Sequence, residues 1–153
     1  MENLRTIYSA KTFIVDHSIE MLILKRIDNN RWDLPGGELI GGEDPLQAAI
    51  REVYEETSIA IIEDCVMPVP DNPRKDKSIH YENIQHERSY FMGYIGKILI
   101  ARPKIILSDE HKDLRWVKPL EAIGLLGHTV QRQALKAAFD TYMFRLPQTV
   151  QQN

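Results

Sequence analysis

Residues 37–59, GELIGGEDPLQAAIREVYEETSI, decide the fold, because they join a glycine turn to a helix whose start, face and end are written in residue types. Asp44 suits the N-cap, Pro45 the first helical position, and Gln47 stands where a capping box places Glu or Gln. Leu46, Ala49, Ile50, Val53 and Thr57 recur at i, i+3, i+4, i+7 and i+11, one face at about 100° per residue. The spacing predicts a helix from Pro45 to about Thr57. On it Glu52, Glu55 and Glu56 stand at i, i+3 and i+4, so three carboxylates fall within an arc of about 100°, turned away from the Leu46, Ile50, Val53 stripe. Like charges so placed cost about 0.2–0.5 kcal/mol per pair on an isolated helix, so the cluster needs either plain solvent or a cation.

Working outward, Thr6 to Val15 and Met21 to Ile27 are β-rich apolar runs separated by Asp16, His17 and Ser18, and predict paired strands. Asp28, Asn29 and Asn30 break that pattern before Trp32-Asp33-Leu34-Pro35-Gly36-Gly37, whose Pro-Gly-Gly run forces a turn. Beyond the helix, Ile59 to Val69 reads as a strand and Pro70 to Asn83 as a loop holding Arg74, Lys75 and Lys77. Glu87 to Ile100 reads as one or two strands, and Arg102 to Leu107 as a possible extension of the sheet. Leu114 to Val117 reads as a short strand ended by Lys118-Pro119, and Thr129 to about Phe144 as a closing helix capped by Thr129. No internal repeat or linker interrupts this order, so the expected class is α+β, a sandwich with a mixed sheet, in one domain spanning 1–153.

At 153 residues, 43% of them hydrophobic, the chain can bury a sizeable core. The single cysteine, Cys65, excludes an intramolecular disulfide and a Cys-type zinc site, and a reducing, cytoplasmic setting is expected. No stretch reads as a signal peptide or membrane span. The net charge of -3 offers no general attraction for a nucleic-acid backbone, so a polyanionic substrate has to be met locally, by placed cations or a divalent metal.

The same 23 residues resemble the box of the Nudix family, G-x5-E-x7-R-E-U-x-E-E-x-G-U with U a bulky aliphatic. Gly37, Glu43, Arg51, Glu52, Val53, Glu55, Glu56 and Ile59 stand at the required offsets, and Leu34-Pro35-Gly36 ahead of them is also usual there. Ser58 departs from the pattern, occupying the place of a glycine past the helix end; a modest effect on the helix exit is expected, with the catalytic groups untouched. The flanking strand order and closing helix also look like the Nudix-type α/β/α sandwich.

The resemblance implies a Mg²⁺ site, with Mn²⁺ a possible substitute, held by Glu52, Glu55 and Glu56, Glu56 foremost, and by the Gly37 carbonyl. Glu52 doubles as a candidate water-activating base. Arg51 and Glu43 are implied to hold the loop against the helix by charge-assisted hydrogen bonds. Glu110, ahead of Trp116, resembles the loop acid that reaches the metal in several members, with a solvated loop acid as the alternative; Asp109 and His111 are weaker candidates. Arg26 resembles a phosphate-contacting cation, and Arg74, Lys75 and Lys77 are placed to close over a polyphosphate or simply to be solvated. Trp32, Tyr81, Phe91 and Tyr94 are candidate stacking partners for a base, Phe91 more naturally a core residue. His80, His86, His111 and His128 show no metal-type pairing, which disfavours a zinc enzyme.

The implied activity is hydrolysis of a phosphoanhydride in a nucleoside triphosphate or other nucleoside diphosphate derivative. A nucleotide-sensing domain without turnover and removal of pyrophosphate from an RNA 5′ end are the alternatives. The expected partner is a small nucleotide; no membrane is implied, nucleic acid is disfavoured, and a homodimer is possible.

Overall fold

The two β-rich runs ahead of the glycine turn form β1 (Arg5–Val15) and β2 (Met21–Arg26), antiparallel, with Ile14 opposite Leu22 and Val15 opposite Met21. They belong to a computed structural model that describes residues 5–69, 79–84, 87–98, 101–127 and 129–138. Asp16 closes the hairpin by accepting the N–H groups of Ser18 and Glu20, each at 2.9 Å, and its other oxygen takes the Arg102 guanidinium at 2.7 Å.

The two residues of β3 (Trp32–Asp33) pair with β2, and β4 (Gly36–Glu38) runs antiparallel to β1. The expected helix is α1 (Pro45–Thr57); the Asp44 side chain accepts from the Gln47 N–H at its start. Beyond it come β5 (Val66–Pro68), β6 (Ile79–Ile84), β7 (Glu87–Lys97), β8 (His111–Val117), α2 (Pro119–Leu125) and α3 (Thr129–Ala138). The sheet runs β3-β2-β1-β7-β5, with β4 on β1, β6 on β7 and β8 on β2. It is mixed because β1 and β7 run parallel from Arg5 opposite Glu87 to Val15 opposite Lys97.

Side chains alternate across this sheet, as a two-residue period requires. Phe13, Val15, Met21, Ile23, Ile95 and Val117 pack with Ala122 of α2 and with Ala134, Leu135 and Ala138 of α3. Ala10, Ile14, Leu22, Leu24, Met92 and Tyr94 pack with Ala48, Ala49 and Val53 of α1. The result is the expected α+β sandwich, α1 on one face and α2 with α3 on the other. Each fully buried Leu, Ile or Phe contributes about 1.5–3 kcal/mol, so the β1–β2 hairpin, buried on both faces, anchors both layers.

Several elements differ from the sequence reading. Ile59 to Val69 is not one strand: Glu63–Cys65 form a single 3₁₀ turn and only Val66–Pro68 pair. Ile59 and Ile61 are buried while Ala60 and Ile62 are exposed, so the alternation reported burial without a pairing partner. The same applies to Arg102 to Leu107, which adds no strand; Ile105 and Leu107 pack on the α1 layer while Ile106 is exposed. The proposed loop to Asn83 is instead β6 from Ile79 onward, and Lys118-Pro119 does not merely stop β8 but starts α2 with proline in its first turn. Thr129 is the first residue of α3, which moves its cap position to 128, outside the described residues, as is the expected continuation past Ala138.

Ser58 takes the left-handed conformation, φ 63 and ψ 14, and its N–H closes on the Tyr54 carbonyl. This is the backbone geometry that a glycine past a helix end supplies without strain. Ser58→Gly is therefore expected to raise stability by about 0.5–1 kcal/mol, the relief of the left-handed strain partly offset by a freer unfolded chain. Urea unfolding at neutral pH measures it, and an unchanged or lowered midpoint would contradict it.

Candidate active site

Two glycines bring the acidic helix onto the sheet. Lys11 lies opposite Gly36 and Ala10 opposite Gly37 in the β1–β4 ladder. Gly36 has φ +154, and its N–H donates to Glu56 Oε1 at 2.8 Å. At Gly37 a Cβ would stand 2.6 Å from Glu52 Oε1, so the missing side chain is the space that the Glu52 carboxylate fills.

The three helix glutamates do not share one exposed face, contrary to expectation. The Glu55 side chain is 54% exposed and that of Glu52 13%, whereas Glu56 retains 3%. Glu56 is covered because residues 105–108 cross the end of α1: the Ile106 N–H donates to the Thr57 carbonyl at 3.1 Å and the Ser108 N–H to the Glu56 carbonyl at 3.2 Å. Burial pushes the Glu56 carboxyl up to about 8, against the pull of the Lys11 charge and the Gly36 N–H. Burial also raises Glu52, with the Arg51 guanidinium pulling back. Two carboxyls that resist ionising side by side form a place where a cation is favoured.

Arg51 and Glu43 occupy the places expected of them. Arg51 Nε and Nη2 reach the two oxygens of Glu43 at 2.8 and 2.9 Å, and Nη1 reaches Glu52 at 3.0 Å and Glu55 at 3.1 Å. Nη2 also donates to the Glu38 carbonyl at 3.3 Å. One planar fork thus joins β4, the loop before the helix and two of the helix acids.

An open cleft of about 270 Å³ is lined by Glu52, Glu55, Glu56, Ser108, Asp109 and Glu110. A neighbouring cleft of about 350 Å³ shares Glu52 and Glu110 and adds Ser9, Lys11, Arg26, Gly36, Gly37 and Glu38. Glu110 therefore stands with the helix acids, and Arg26 stands next to them. The Arg26 fork is engaged by Asp28 at 2.8 and 2.9 Å, with Asp33 at 3.8 Å.

Lys11, Asp33 and Gln131 were not singled out from the sequence, and His111 only as a weaker candidate. Lys11 Nζ meets Asp33 Oδ2 at 3.1 Å, and Gln131 Nε2 meets Asp33 Oδ1 at 2.7 Å, tying β1, β3 and α3 together beside the cleft. His111, read as standing alone, has its Nε2 3.2 Å from Glu56 Oε2. Glu56, Glu110 and His111 each offer a donor atom within 4.8 Å of the others, a set that a metal ion fits. The stacking role expected of Trp32 and Tyr94 is not supported, because both are buried in the core. Trp32 also has Lys25 Nζ 5.4 Å and the Arg115 guanidinium 5.0 Å from its ring centre. Arg74, Lys75, Lys77, His86, His128 and the side chains of His80, Tyr81 and Phe91 lie outside the described residues.

The arrangement defines a class, an α+β sandwich whose carboxylate-rich cleft can take a divalent cation beside two positively charged side chains. The profile of the NUDIX domain matches residues 7–139, and the chain belongs to the Nudix family. A Bacillus subtilis (strain 168) protein, named provisionally as an 8-oxo-dGTP diphosphatase, is 32% identical over 111 residues, 72% of this chain and 65% of that protein. The nucleoside triphosphatase NudI of Salmonella heidelberg (strain SL476) is 31% identical over 106 residues, 65% of this chain and 74% of its own length. Among solved structures, the MutT protein from Methanosarcina mazei Go1 superposes with a TM-score of 0.74 at 22% identity, covering 90% of this chain and 96% of that one, a likeness of fold.

Proposed function

We propose that this chain is a Mg²⁺-dependent pyrophosphohydrolase that cleaves a phosphoanhydride of a small nucleotide, a nucleoside triphosphate or another nucleoside diphosphate derivative. The observation that carries the reading is the convergence of Glu52, Glu55, Glu56 and Glu110 on one cleft that adjoins Lys11 and Arg26. The names of the Bacillus and Salmonella relatives, a diphosphatase and a triphosphatase, support the nucleotide substrate. The net charge of -3 weighs against an RNA 5′ end.

Glu56, Glu55, Glu52 and the Gly37 carbonyl are the oxygens that would hold Mg²⁺, with Glu110 lining the same cleft. A divalent cation there supplies neutralisation of phosphate charge and makes water a stronger acid. Arg26 binds a phosphate by exchanging its exposed partner Asp28, and Lys11 adds positive charge beside it. Glu52, kept less acidic by burial, accepts the proton of the attacking water. The new bond joins that water oxygen to phosphorus, and the bridging oxygen departs with the leaving phosphate. Glu43 and Arg51 keep Glu52 and Glu55 in register.

The test is product release from nucleoside triphosphates, ADP-ribose, dinucleoside polyphosphates and triphosphorylated RNA, with and without Mg²⁺ or Mn²⁺. Metal-dependent turnover of one class is the expected result; nucleotide binding without product from any of them would favour a sensing domain. On the substrate found, Arg51→Lys is expected to lower kcat/KM about ten-fold, or about 1.4 kcal/mol, because an ammonium keeps the charge but cannot span Glu43, Glu52 and Glu55 together. Wild-type kinetics in that variant would remove the positioning role.

A further inference from the structure

His111 begins β8 opposite Arg26, where the β2–β8 register shifts between Lys25 and Arg26, and this irregularity sets its ring against the end of α1. Its side chain is 1% exposed. The Nε2 atom lies 3.2 Å from Glu56 Oε2, yet the alignment is not that of a hydrogen bond, and Nε2 has no hydrogen-bond partner. A buried ring nitrogen left unpaired is costly and calls for an explanation. The spacing supplies one. Two donors bound to one cation at about 2.1 Å each, at tetrahedral to octahedral angles, stand about 3.0–3.4 Å apart without pointing at each other.

The other ring nitrogen fits the same account. Nδ1 faces Ser108 Oγ at 3.4 Å, and Ser108 is itself pinned, its N–H on the Glu56 carbonyl and its own carbonyl accepting the His111 N–H. An imidazole whose Nδ1–H is directed at an oxygen presents the lone pair of Nε2, the arrangement usual for a histidine that ligates metal. Glu110 completes a group whose donor atoms lie within 4.8 Å of one another.

We propose that His111 Nε2 is a ligand of the cation site, with Glu56 and Glu110, and that this nitrogen biases the site toward first-row transition cations from Mn²⁺ to Zn²⁺ over Mg²⁺. An all-oxygen site suits the hard Mg²⁺ ion, whereas an imidazole adds affinity along the transition series. The inference shares the cation site of the hydrolase reading and revises which ion that site prefers.

Long-range ¹H–¹⁵N spectra of the ¹⁵N-labelled wild-type chain, titrated from metal-free with Zn²⁺, read the imidazole nitrogens directly. The expected result is a saturable shift of His111 Nε2 while Nδ1 keeps its proton. In calorimetric titrations, His111→Gln is expected to weaken Mn²⁺ binding about ten-fold or more and Mg²⁺ binding by less than about three-fold. If that variant fails to fold, the wild-type spectra decide alone. His111 signals that ignore Zn²⁺, or equal losses for Mn²⁺ and Mg²⁺, overturn the proposal. Nucleotide turnover by a protein whose His111 ignores Zn²⁺ would overturn it and leave the hydrolase reading standing. A Zn²⁺ shift at His111 without turnover of any substrate would support it and remove that reading.

Discussion

Glu56→Gln is expected to lower kcat/KM at least about 100-fold on whichever nucleotide is hydrolysed, while leaving the metal-free fold as stable as the wild type or more so. The two effects have one cause. Glu56 is 2% exposed, and burial holds its carboxyl near 8, so the fold bears a carboxyl group whose charged form it disfavours. A glutamine fits the same space. Its carbonyl accepts the Gly36 N–H in place of Oε1, and its amide group faces His111 Nε2, which is unpaired in the wild type. What the amide removes is the negative oxygen for a cation, and with it the charge neutralisation on which the proposed chemistry depends. Glu55→Gln, on a side chain 54% exposed, is expected to cost less turnover. Thermal unfolding of the metal-free proteins and steady-state kinetics with metal measure both halves. Turnover within a few-fold of wild type would remove Glu56 from its proposed place, and a large fall in melting temperature would show that the charged form is tolerated in the fold.

The legible parts of this site were those in which cause and effect lie within one turn of helix. Asp44, Pro45 and Gln47 announce where α1 starts, and Ser58 holds the conformation that its place in the box demands. The family resemblance, not the local pattern, implied that Glu43 and Arg51 pair across eight residues, and the two meet. A helical pattern, however, reports only which side chains share a direction, and the direction of Glu56 is covered by residues 105–108 and by the Gly36 N–H, both remote in sequence. His111 reaches Glu56 because β8 pairs with β2, a long-range register that no local signal fixes. Alternation misled in the opposite sense at Ile59–Ile62 and at Ile105–Leu107, where alternate residues are buried or half-buried by packing in the α1 layer without joining a ladder. Trp32 looked like a stacking platform because its type suits a base, and only the position of β3 against α2 and α3 shows it belongs to the core.

Gly36→Ala is expected to destabilise the protein by about 3–5 kcal/mol, a large fraction of the roughly 5–15 kcal/mol that a domain holds, whereas Gly37→Ala is expected to cost about 1 kcal/mol and act on turnover. The two adjacent glycines are needed for different reasons. At Gly36 a Cβ would land on the Ala10 carbonyl oxygen and 2.8 Å from Lys11 Cα, both backbone atoms of β1, in a residue whose φ of +154 an L side chain rarely adopts. The strained φ contributes about 1–3 kcal/mol and the overpacking about 1–3 kcal/mol, and neither is relieved without parting β4 from β1. Parting them also withdraws the Gly36 N–H from Glu56, so the site fails with the fold. At Gly37 the φ is not in the left-handed range, and the Cβ meets the end of the Glu52 side chain at 2.6–2.9 Å. A carboxylate can swing aside where a backbone cannot, so the fold survives, but Glu52 leaves the position from which it would take a proton, and kcat/KM should fall about ten-fold or more. Urea unfolding of both variants with kinetics on Gly37→Ala separates these effects. Similar stability losses in the two would mean that β4 yields at Gly36 as readily as a side chain does, and unimpaired turnover in Gly37→Ala would mean that Glu52 is not held in place by the space this glycine leaves.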